Sequence, residues 1–289
     1  MHYEGNVIRP PSEANSILLQ VTVGCSHNKC TFCGVYKGER FKIKDDATVM
    51  ADIAYAAKYF RGATRLFLCD GDALILPQKR LLMLLGEIRR QLPWVTRVGV
   101  YANTKSLAMK TAEELCQLRE NGLAIAYMGL ETGDDVTLSA IGKGADSARM
   151  IEMGKKARAA GIKLSITVLL GIAGRDRSII HATETARVLS AIDPEYVGAL
   201  SLMLIPGTSL FSDHEGGTFP ILEPVEVLQE LRIMIGRTEL TNGLFHANHA
   251  SNYLPVRAKL PEEKEKTLAL IDQALAGKVK LKPEYLRAL

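Results

Sequence analysis

SILLQVTVG, residues 16–24, is apolar almost throughout and leads directly into CSHNKCTFC, residues 25–33. An apolar run without polar alternation is typical of a strand that is buried on both faces, as in a parallel sheet. Five later runs share this character: TRLFLCDGD (64–72), TRVGVYAN (96–103), LAIAYMGLET (123–132), KLSITVLLG (163–171) and EYVGALSLMLIP (195–206). The sequence therefore predicts six parallel strands, and residues 16–24 form the first of them.

Segments with helical spacing separate the predicted strands. They lie at residues 48–60, 77–92, 111–122, 147–161 and 176–192. Strands that alternate with helices form right-handed βαβ units. A closed eight-stranded barrel takes about 250 residues, whereas the six repeats end near residue 206. We therefore expect an α/β fold with a partial (β/α)6 TIM-type barrel over residues 1–210. A doubly wound open sheet, the alternative, would use the same repeats.

The remainder, residues 211–289, is expected to be a C-terminal helical and loop extension. Residues 207–225 are rich in Gly and Pro and predict a loop, and helices are expected at 225–240 and near 262–276. Between these helices lies the polar stretch LFHANHASNYLP, residues 244–255, which is costly to bury without partners. It is a candidate substrate lid or wall, and an ordered surface loop is the alternative. The candidate catalytic residues are Asn248, His249, Tyr253 and, at the end of the third strand, Tyr101.

Charge and composition bound the class of protein. The net charge of +4 comes from 36 basic and 32 acidic residues without a long block of one sign, so nucleic acid is not indicated as a partner. No eighteen consecutive residues are apolar, and the first twenty residues lack the pattern of a signal peptide. We therefore expect a cytoplasmic protein that does not enter a membrane. Five cysteines, three of them clustered, do not form a typical disulfide framework.

The residues at the ends of the predicted strands are candidates for a binding site. In both architectures the ligand lies at the carboxyl ends of the parallel strands. In strand order these ends carry Cys25, Cys30 and Cys33; Asp70, Gly71 and Asp72; Tyr101 and Asn103; Glu131 and Thr132; Gly171 to Gly174; and Pro206, Gly207 and Thr208. We expect these residues to converge on one site.

The three clustered cysteines indicate a metal centre. Thiolates bind zinc and iron–sulfur clusters, and a structural zinc site usually takes four ligands. Cys25, Cys30 and Cys33 leave one coordination position open, which suits a cluster that chelates a small molecule. His27 as a fourth ligand would instead make a small zinc site, and this alternative stays open.

CSHNKCTFC resembles the signature loop of the radical S-adenosylmethionine (radical SAM) enzymes, in which an aromatic residue precedes the last cysteine. Phe32 stands in that place, and the resemblance implies that Cys25, Cys30 and Cys33 bind a [4Fe–4S] cluster. The sequence departs from the family in one respect. Four residues separate Cys25 from Cys30, where the usual loop has three.

Four later strand ends are similar to the same family. The resemblance implies that Asp70, Gly71 and Asp72 stand in the place of a Gly-Gly-Glu-like turn that holds the methionyl amine of S-adenosylmethionine. YMGLETGDDVTLSAIGKG (127–144) is similar to the branch with oxygen-independent coproporphyrinogen oxidase, Elongator-type and methylthiotransferase enzymes, in which Glu131 would accept from the ribose. Gly171, in the strand-five glycine motif, and Ile205, at the end of strand six, complete the cofactor-binding residues that the resemblance implies.

The resemblance also implies an activity and a partner. A reduced cluster would cleave S-adenosylmethionine to methionine and a 5′-deoxyadenosyl radical, which would abstract hydrogen from a small-molecule or peptide substrate that is unidentified. The electron would come from an external low-potential donor of the flavodoxin or ferredoxin type. Only Cys69 and Cys116 remain after the loop, too few to hold a second [4Fe–4S] cluster. The alternatives are a cluster- and cofactor-binding carrier or sensor that handles tetrapyrroles, and a zinc-stabilised barrel.

Overall fold

The computed structural model describes residues 1–288 of the chain. The chain forms two compact units. The first unit comprises Met1–Asn28, Val35–Met128 and Met153–Leu164, and the second comprises Lys29–Gly34, Gly129–Glu152 and Ser165–Leu289.

The ten strands within residues 1–288 confirm the six that the apolar runs predict and add four. They are β1 (Ile17–Gln20), β2 (Thr22–Val23), β3 (Lys42–Ile43), β4 (Arg65–Cys69), β5 (Arg97–Ala102), β6 (Leu123–Glu131), β7 (Lys163–Leu170), β8 (Tyr196–Ser201), β9 (Gly243–Ala247) and β10 (Val256–Leu260). Eight of them form one sheet in the order β1-β4-β5-β6-β7-β8-β9-β10, and β2 pairs with β3. The pairs β1/β4, β4/β5, β5/β6, β7/β8 and β8/β9 are parallel, whereas β9/β10 is antiparallel.

Helices follow most of the strands, as the predicted βα repeats require. They are α1 (Asp46–Tyr59), α2 (Gln78–Gln91), α3 (Thr104–Ala108), α4 (Ala112–Glu120), α5 (Asp135–Ala140), α6 (Ser147–Ala159), α7 (Gly174–Ile192), α8 (Ser209–Glu215), α9 (Pro224–Arg237) and α10 (Lys264–Leu275). Several begin at the caps that the sequence carries. Thr111 and Glu114 form a reciprocal capping box at the start of α4, which satisfies two backbone N–H groups that the helix itself leaves unpaired.

The first unit is built on β1, β4 and β5. Leu66 and Leu68 of β4 are buried, while Phe67 between them points to the opposite face of the sheet because side chains alternate along a strand. On that face the ring of Phe67 packs edge-on against Tyr101 and Tyr127, with centroid distances of 4.9 and 5.5 Å. Three aromatic rings therefore fill the interior face of this unit.

The second unit has a sheet with one covered face. Along β7, β8 and β9 every second residue is buried and the residues between are partly exposed. The buried face includes Ile166, Val197 and Phe245, and α9 contributes the buried residues Leu231 and Met234 to the core. Alternation of this kind is typical of strands covered by helices on one side only.

Two parts of residues 207–255 differ from the sequence-based expectation. The predicted loop 207–225 contains α8, whose first turn Thr208 caps through its side chain. The polar stretch 244–255 contains most of β9, which pairs with β8 in parallel. A short strand of mixed polarity has no local signal as strong as that of an apolar run, so its pairing with β8 decides its conformation.

Within residues 1–288, none of the helices has both the length and the apolar character needed to cross a bilayer.

Candidate functional site

Cys25 lies against the turn that follows β4. The backbone N–H of Gly71 donates to the carbonyl oxygen of Gly24 at 3.2 Å. A Cβ atom at position 71 would stand 2.7 Å from the Cβ of Cys25 and 3.0 Å from the ring of Tyr36. Position 71 therefore has to be glycine for the first cysteine to pack against this turn.

Asp72 presents a carboxylate that is only half satisfied. Its side chain is fully buried, and Oδ2 accepts hydrogen bonds from the Ser26 hydroxyl at 2.6 Å and the Asn103 amide at 2.8 Å. Oδ1 is buried and has no hydrogen-bond partner among the described residues. Burial raises the pKa of Asp72 above its usual range, because desolvation disfavours the charged form. Oδ1 is therefore the unpaired acceptor of this carboxylate among the described residues.

Asp70 is held by the protein itself. Its φ of 75° lies in the left-handed region, which Asp and Asn tolerate better than most residues. Its buried carboxylate accepts from the Gln20 amide at 2.8 Å and, at a long 3.4 Å, from the Tyr36 hydroxyl. Burial raises the pKa of Asp70 to about 6. Of the two acids in this turn, Asp72 is the one with an open acceptor.

Tyr101 lies on the aromatic face of the first unit. Its ring packs edge-on against Phe67 at 4.9 Å and against Tyr127 at 6.1 Å. Burial raises the pKa of its phenol, so Tyr101 stays a neutral hydroxyl at physiological pH.

In the second unit, the segment of Cys30 and Cys33 is fixed by backbone hydrogen bonds. The N–H of Thr31 donates to the carbonyl oxygen of Ile141 at 3.0 Å, and the carbonyl oxygen of Thr31 accepts from Leu210 at 3.1 Å. Phe32 packs against an apolar cluster formed by Ile141, Ile172 and Leu210. Cys30 and Cys33 are both partly exposed and form no disulfide.

Ile205 and Glu131, two predicted cofactor-binding residues of the second unit, each contact a specific neighbour. A Cβ at Gly34 would stand 2.6 Å from Cγ2 of Ile205, so Ile205 packs directly against the segment after Cys33. Glu131 has a left-handed φ of 64°, and its carboxylate lies 2.8 Å from Nζ of Lys143. Glu131 is therefore held as an ion pair at the end of β6.

Glu230, which the sequence analysis does not single out, contacts the end of β7. Its buried Oε1 accepts from the backbone N–H of Gly171 at 2.6 Å, and Oε2 accepts from the Ser178 hydroxyl at 2.5 Å. The one sequence signal is an acid within the apolar stripe of α9, between Leu228 and Leu231. An acid in such a stripe is buried only with partners.

His181 extends this contact to the end of β6. Its Nδ1 lies 2.7 Å from the Thr132 hydroxyl oxygen, and its Nε2 lies 3.3 Å from Oε1 of Glu230. Nε2 makes no aligned hydrogen bond among the described residues. Glu230 and His181 thus connect Gly171 with the residue that follows Glu131.

The candidate catalytic residues of the polar stretch have separate environments. Asn248 is exposed, and Nδ1 of His249 lies 2.9 Å from the Ser251 hydroxyl. The Tyr253 hydroxyl donates to Glu284 at 2.6 Å, and Arg287 donates to it at 2.6 Å. Burial raises the pKa of Tyr253 to about 12.

The same stretch is tied to the end of β8. The Ser201 hydroxyl donates to Oδ1 of Asn252 at 2.8 Å, and the Asn252 amide donates to the carbonyl oxygen of Ala199 at 2.8 Å. Ser251 and Asn252 are buried. These contacts hold residues 251–253 in place.

No three His, Cys, Asp or Glu side chains within residues 1–288 come together closely enough to bind a single metal ion.

The family model described as the Radical SAM superfamily matches residues 19–184. No curated protein matches the sequence.

Three solved structures with a similar fold are compared by sequence identity, by the share of each chain that is covered and by TM-score. Methylornithine synthase (PylB) is 17% identical over 78% of this chain and 63% of its own, with a TM-score of 0.56. Coproporphyrinogen III oxidase (HemN) from Escherichia coli, described as a radical SAM enzyme, is 15% identical over 75% of this chain and 51% of its own, with a TM-score of 0.56. Elp3 from Methanocaldococcus infernus is 12% identical over 95% of this chain and 64% of its own, with a TM-score of 0.52.

These similarities concern the fold. They confirm the predicted α/β class with a partial TIM-type barrel, and they include the coproporphyrinogen oxidase and Elongator-type structures that the sequence resembles. The chain spans less than two thirds of the length of each of the three.

Proposed function

Because this chain belongs to the radical SAM superfamily, we propose that it is a radical SAM enzyme that acts on a substrate still to be identified. Cys25, Cys30 and Cys33 would hold a [4Fe–4S] cluster, and the remaining strand ends would bind S-adenosylmethionine. Together these cofactors supply one chemistry, the reductive cleavage of S-adenosylmethionine that yields a 5′-deoxyadenosyl radical. The protein would position the cofactors and exclude water.

The donor set of the cysteine loop fits such a cluster. Three thiols that form no disulfide lie within nine residues of the sequence. A cluster distributes its thiolate ligands over different irons, so these need not converge on one point. The absence of a side chain at Gly71 leaves space for Cys25. The backbone hydrogen bonds of Thr31 fix the segment that carries Cys30 and Cys33. The loop is thus anchored on both sides of its four-residue spacing.

The observation that carries the proposal is the open acceptor of Asp72. A buried carboxylate oxygen without a partner is costly, and an ammonium group would satisfy it. The methionyl amine of S-adenosylmethionine is such a group. Ser26 and Asn103 both donate to Oδ2, which orients the carboxylate so that Oδ1 stays available.

The nucleoside would be bound by residues of the second unit. Phe32 lies in an apolar cluster with Ile172, the residue after Gly171, and an apolar cluster suits an adenine ring. Glu131 would accept from the ribose hydroxyls, and Lys143 holds its carboxylate in place. Ile205, packed against Gly34, would add an apolar contact.

The two predicted regions of the chain would have different roles. Residues 1–210 would carry the cofactors, and residues 211–289 would contribute to the substrate site. The hydrogen bonds that tie Asn252 to Ser201 and Ala199 favour a fixed wall over a moving lid. Replacing Asn248 and His249 with Ala tests whether these side chains serve substrate turnover. The electron would come from an external low-potential donor.

Anaerobic reconstitution of the full chain with iron and sulfide tests the proposal. We expect about four irons per chain, broad visible absorption, and 5′-deoxyadenosine after reduction in the presence of S-adenosylmethionine. A cluster that forms without cleavage of S-adenosylmethionine would favour the carrier or sensor. Binding of zinc alone would exclude both the radical SAM enzyme and the carrier or sensor.

Matched variants make the test specific. Replacing Cys25, Cys30 or Cys33 with Ala should abolish iron binding. Cys116→Ala, a change at another partly exposed cysteine, should leave it intact. Asp72→Asn should bind iron normally but weaken S-adenosylmethionine binding about tenfold or more, since it removes the charge that pairs with the amine.

A further inference from the structure

The second unit has a sheet face that its helices leave open. Side chains of alternate residues point to the same face of a strand, and the partly exposed residues of β7, β8 and β9 belong to one such face. They are Ser165, Thr167 and Leu169; Tyr196, Gly198 and Leu200; and Leu244 and His246. Arg257 of β10 pairs directly with His246, so both side chains stand on this face.

Gly198 makes a notch in the middle of this open face. Thr167 is its register partner on β7, and His246 is its register partner on β9. No heavy atom lies within 4 Å of the place where a Cβ of Gly198 would stand, and its φ is not in the left-handed region. Glycine is therefore not required here by packing or by the backbone, and its effect is to leave space between Thr167 and His246.

The walls of the notch are polar on two sides and apolar above. The Thr167 hydroxyl and the His246 imidazole flank it. Leu200 follows Gly198 by two residues, a rise of roughly 7 Å, and pairs with Leu169. Leu169 packs with Phe32 against the apolar cluster of Ile172. The upper end of the notch thus leads to the residues proposed to bind the cofactor.

The charge of the open face is positive. Arg257 is exposed and forms no ion pair within residues 1–288, whereas the neighbouring Lys259 pairs with Glu262. None of the open-face residues of β7, β8, β9 and β10 is an acid. Burial, and then the charge of Arg257, lower the pKa of His246, so its imidazole is neutral at physiological pH and can donate or accept one hydrogen bond.

We propose that the notch at Gly198 is the substrate subsite, and that it takes a small molecule with an apolar body and a carboxylate. The carboxylate would pair with Arg257 and accept from His246 or Thr167, while the apolar part would lie against Leu169 and Leu200. This inference rests on the proposed function, since it places the substrate below the cofactor-binding strand ends. An anion is favoured because Arg257 has no acid to pair with on this face.

Binding of benzoate to the full chain, with benzamide as its uncharged counterpart, tests the subsite. Labelling the six histidines with ¹⁵N allows the His246 imidazole to be followed by NMR and identified with His246→Gln. We expect benzoate to shift the His246 resonance saturably and benzamide to bind at least about tenfold more weakly, as loss of a charge-assisted contact predicts. The buried His181 should not respond.

Two variants complete the test. Gly198→Leu fills the notch in a space that is empty and should abolish the saturable shift. Arg257→Gln should weaken benzoate binding about tenfold without affecting benzamide. The control is Gly86→Leu, where a Cβ also meets open space on the exposed side of α2. A shift that persists in Gly198→Leu, or equal binding of benzamide and benzoate, would overturn the proposal.

The outcome is separable from that of the proposed function. Benzoate binding requires no iron, so the Cys25→Ala variant should retain it. If reconstitution yields no cluster while benzoate binds in the notch, the proposed function fails and the subsite remains. If the cluster forms and cleaves S-adenosylmethionine while benzoate does not bind saturably, the subsite fails and the proposed function remains.

Discussion

Glu230 of α9 accepts a hydrogen bond from the backbone N–H of Gly171, at the end of β7, at 2.6 Å. The two residues are 59 positions apart in the sequence. Gly171 belongs to the glycine motif that resembles the adenine-binding segment of the family. A side chain of α9 thus fixes a backbone group of the proposed cofactor site.

Replacing Glu230 with Ala should destabilise the chain by about 3 kcal/mol, because the Gly171 N–H and the Ser178 hydroxyl would lose a buried acceptor. The free energy of unfolding in urea measures the effect. Gln229, the preceding residue of α9, is exposed. Gln229→Ala should therefore change the free energy of unfolding by about 0.5 kcal/mol or less. Equal effects of the two substitutions would mean that the buried contact adds no stability.

Gly71→Ala should reduce iron binding while the fold is retained. The added Cβ would stand 2.7 Å from the Cβ of Cys25, so the cysteine loop has to move, at a cost of about 1–3 kcal/mol. Iron per chain after reconstitution measures the loss. Gly86→Ala, where a Cβ meets open space, should bind iron as the parent chain does. Full iron occupancy in Gly71→Ala would contradict the tight packing at Cys25.

Asp70 should make the metal-free chain less stable as the pH rises. Burial raises its pKa from 3.8 to about 6, so between these values the folded chain holds a proton that the unfolded chain releases. Stability therefore falls as the pH rises from about 4 to about 6 and is lowest above that window. The penalty is of order 1–3 kcal/mol.

Asp70→Asn should remove this part of the pH dependence, and Asn tolerates the left-handed backbone at this position. Urea unfolding of the metal-free chain at several pH values between 4 and 7 measures the slope. Asp213→Asn, at an exposed acid, serves as the control and should leave the slope unchanged. An unaltered slope in Asp70→Asn would show that Asp70 titrates normally.

Asn28 should steady the cysteine loop across its unusual spacing. It lies between Cys25 and Cys30 with a left-handed φ of 45°, and its amide donates to the carbonyl oxygen of Tyr36 at 2.8 Å. Asn28→Gly keeps the backbone conformation but loses this bond. We expect it to release iron to a chelator roughly fivefold faster, which corresponds to about 1 kcal/mol.

Asn28→Ala should release iron faster still, because a left-handed backbone costs a residue with a Cβ about 1–2 kcal/mol. Lys37→Ala, at an exposed residue of the same segment, is the control. Release rates that are equal in all three variants would show that the Asn28 amide has no part in holding the loop.

The sequence by itself determined the features that depend on neighbouring residues. Apolar runs predict six strands because a strand buried on both faces excludes polar side chains. The thiols of Cys25, Cys30 and Cys33 lie within nine residues, so their common chemistry is visible without a fold. The resemblance at five strand ends follows from the same local patterns, and the family model matches residues 19–184, which include four of these ends.

Only the tertiary structure decided the features that depend on distant residues. The polar stretch 244–255 becomes part of the sheet because β8 offers β9 an edge to pair with. Glu230 lies in the apolar stripe of α9, and the sequence does not explain an acid there. The structure does, because Glu230 accepts a hydrogen bond from the N–H of Gly171. The notch at Gly198 depends on register with Thr167 and His246, and register between strands is set by packing across the sheet. No local pattern carries that information, because each of these contacts joins residues about 30 to 60 positions apart.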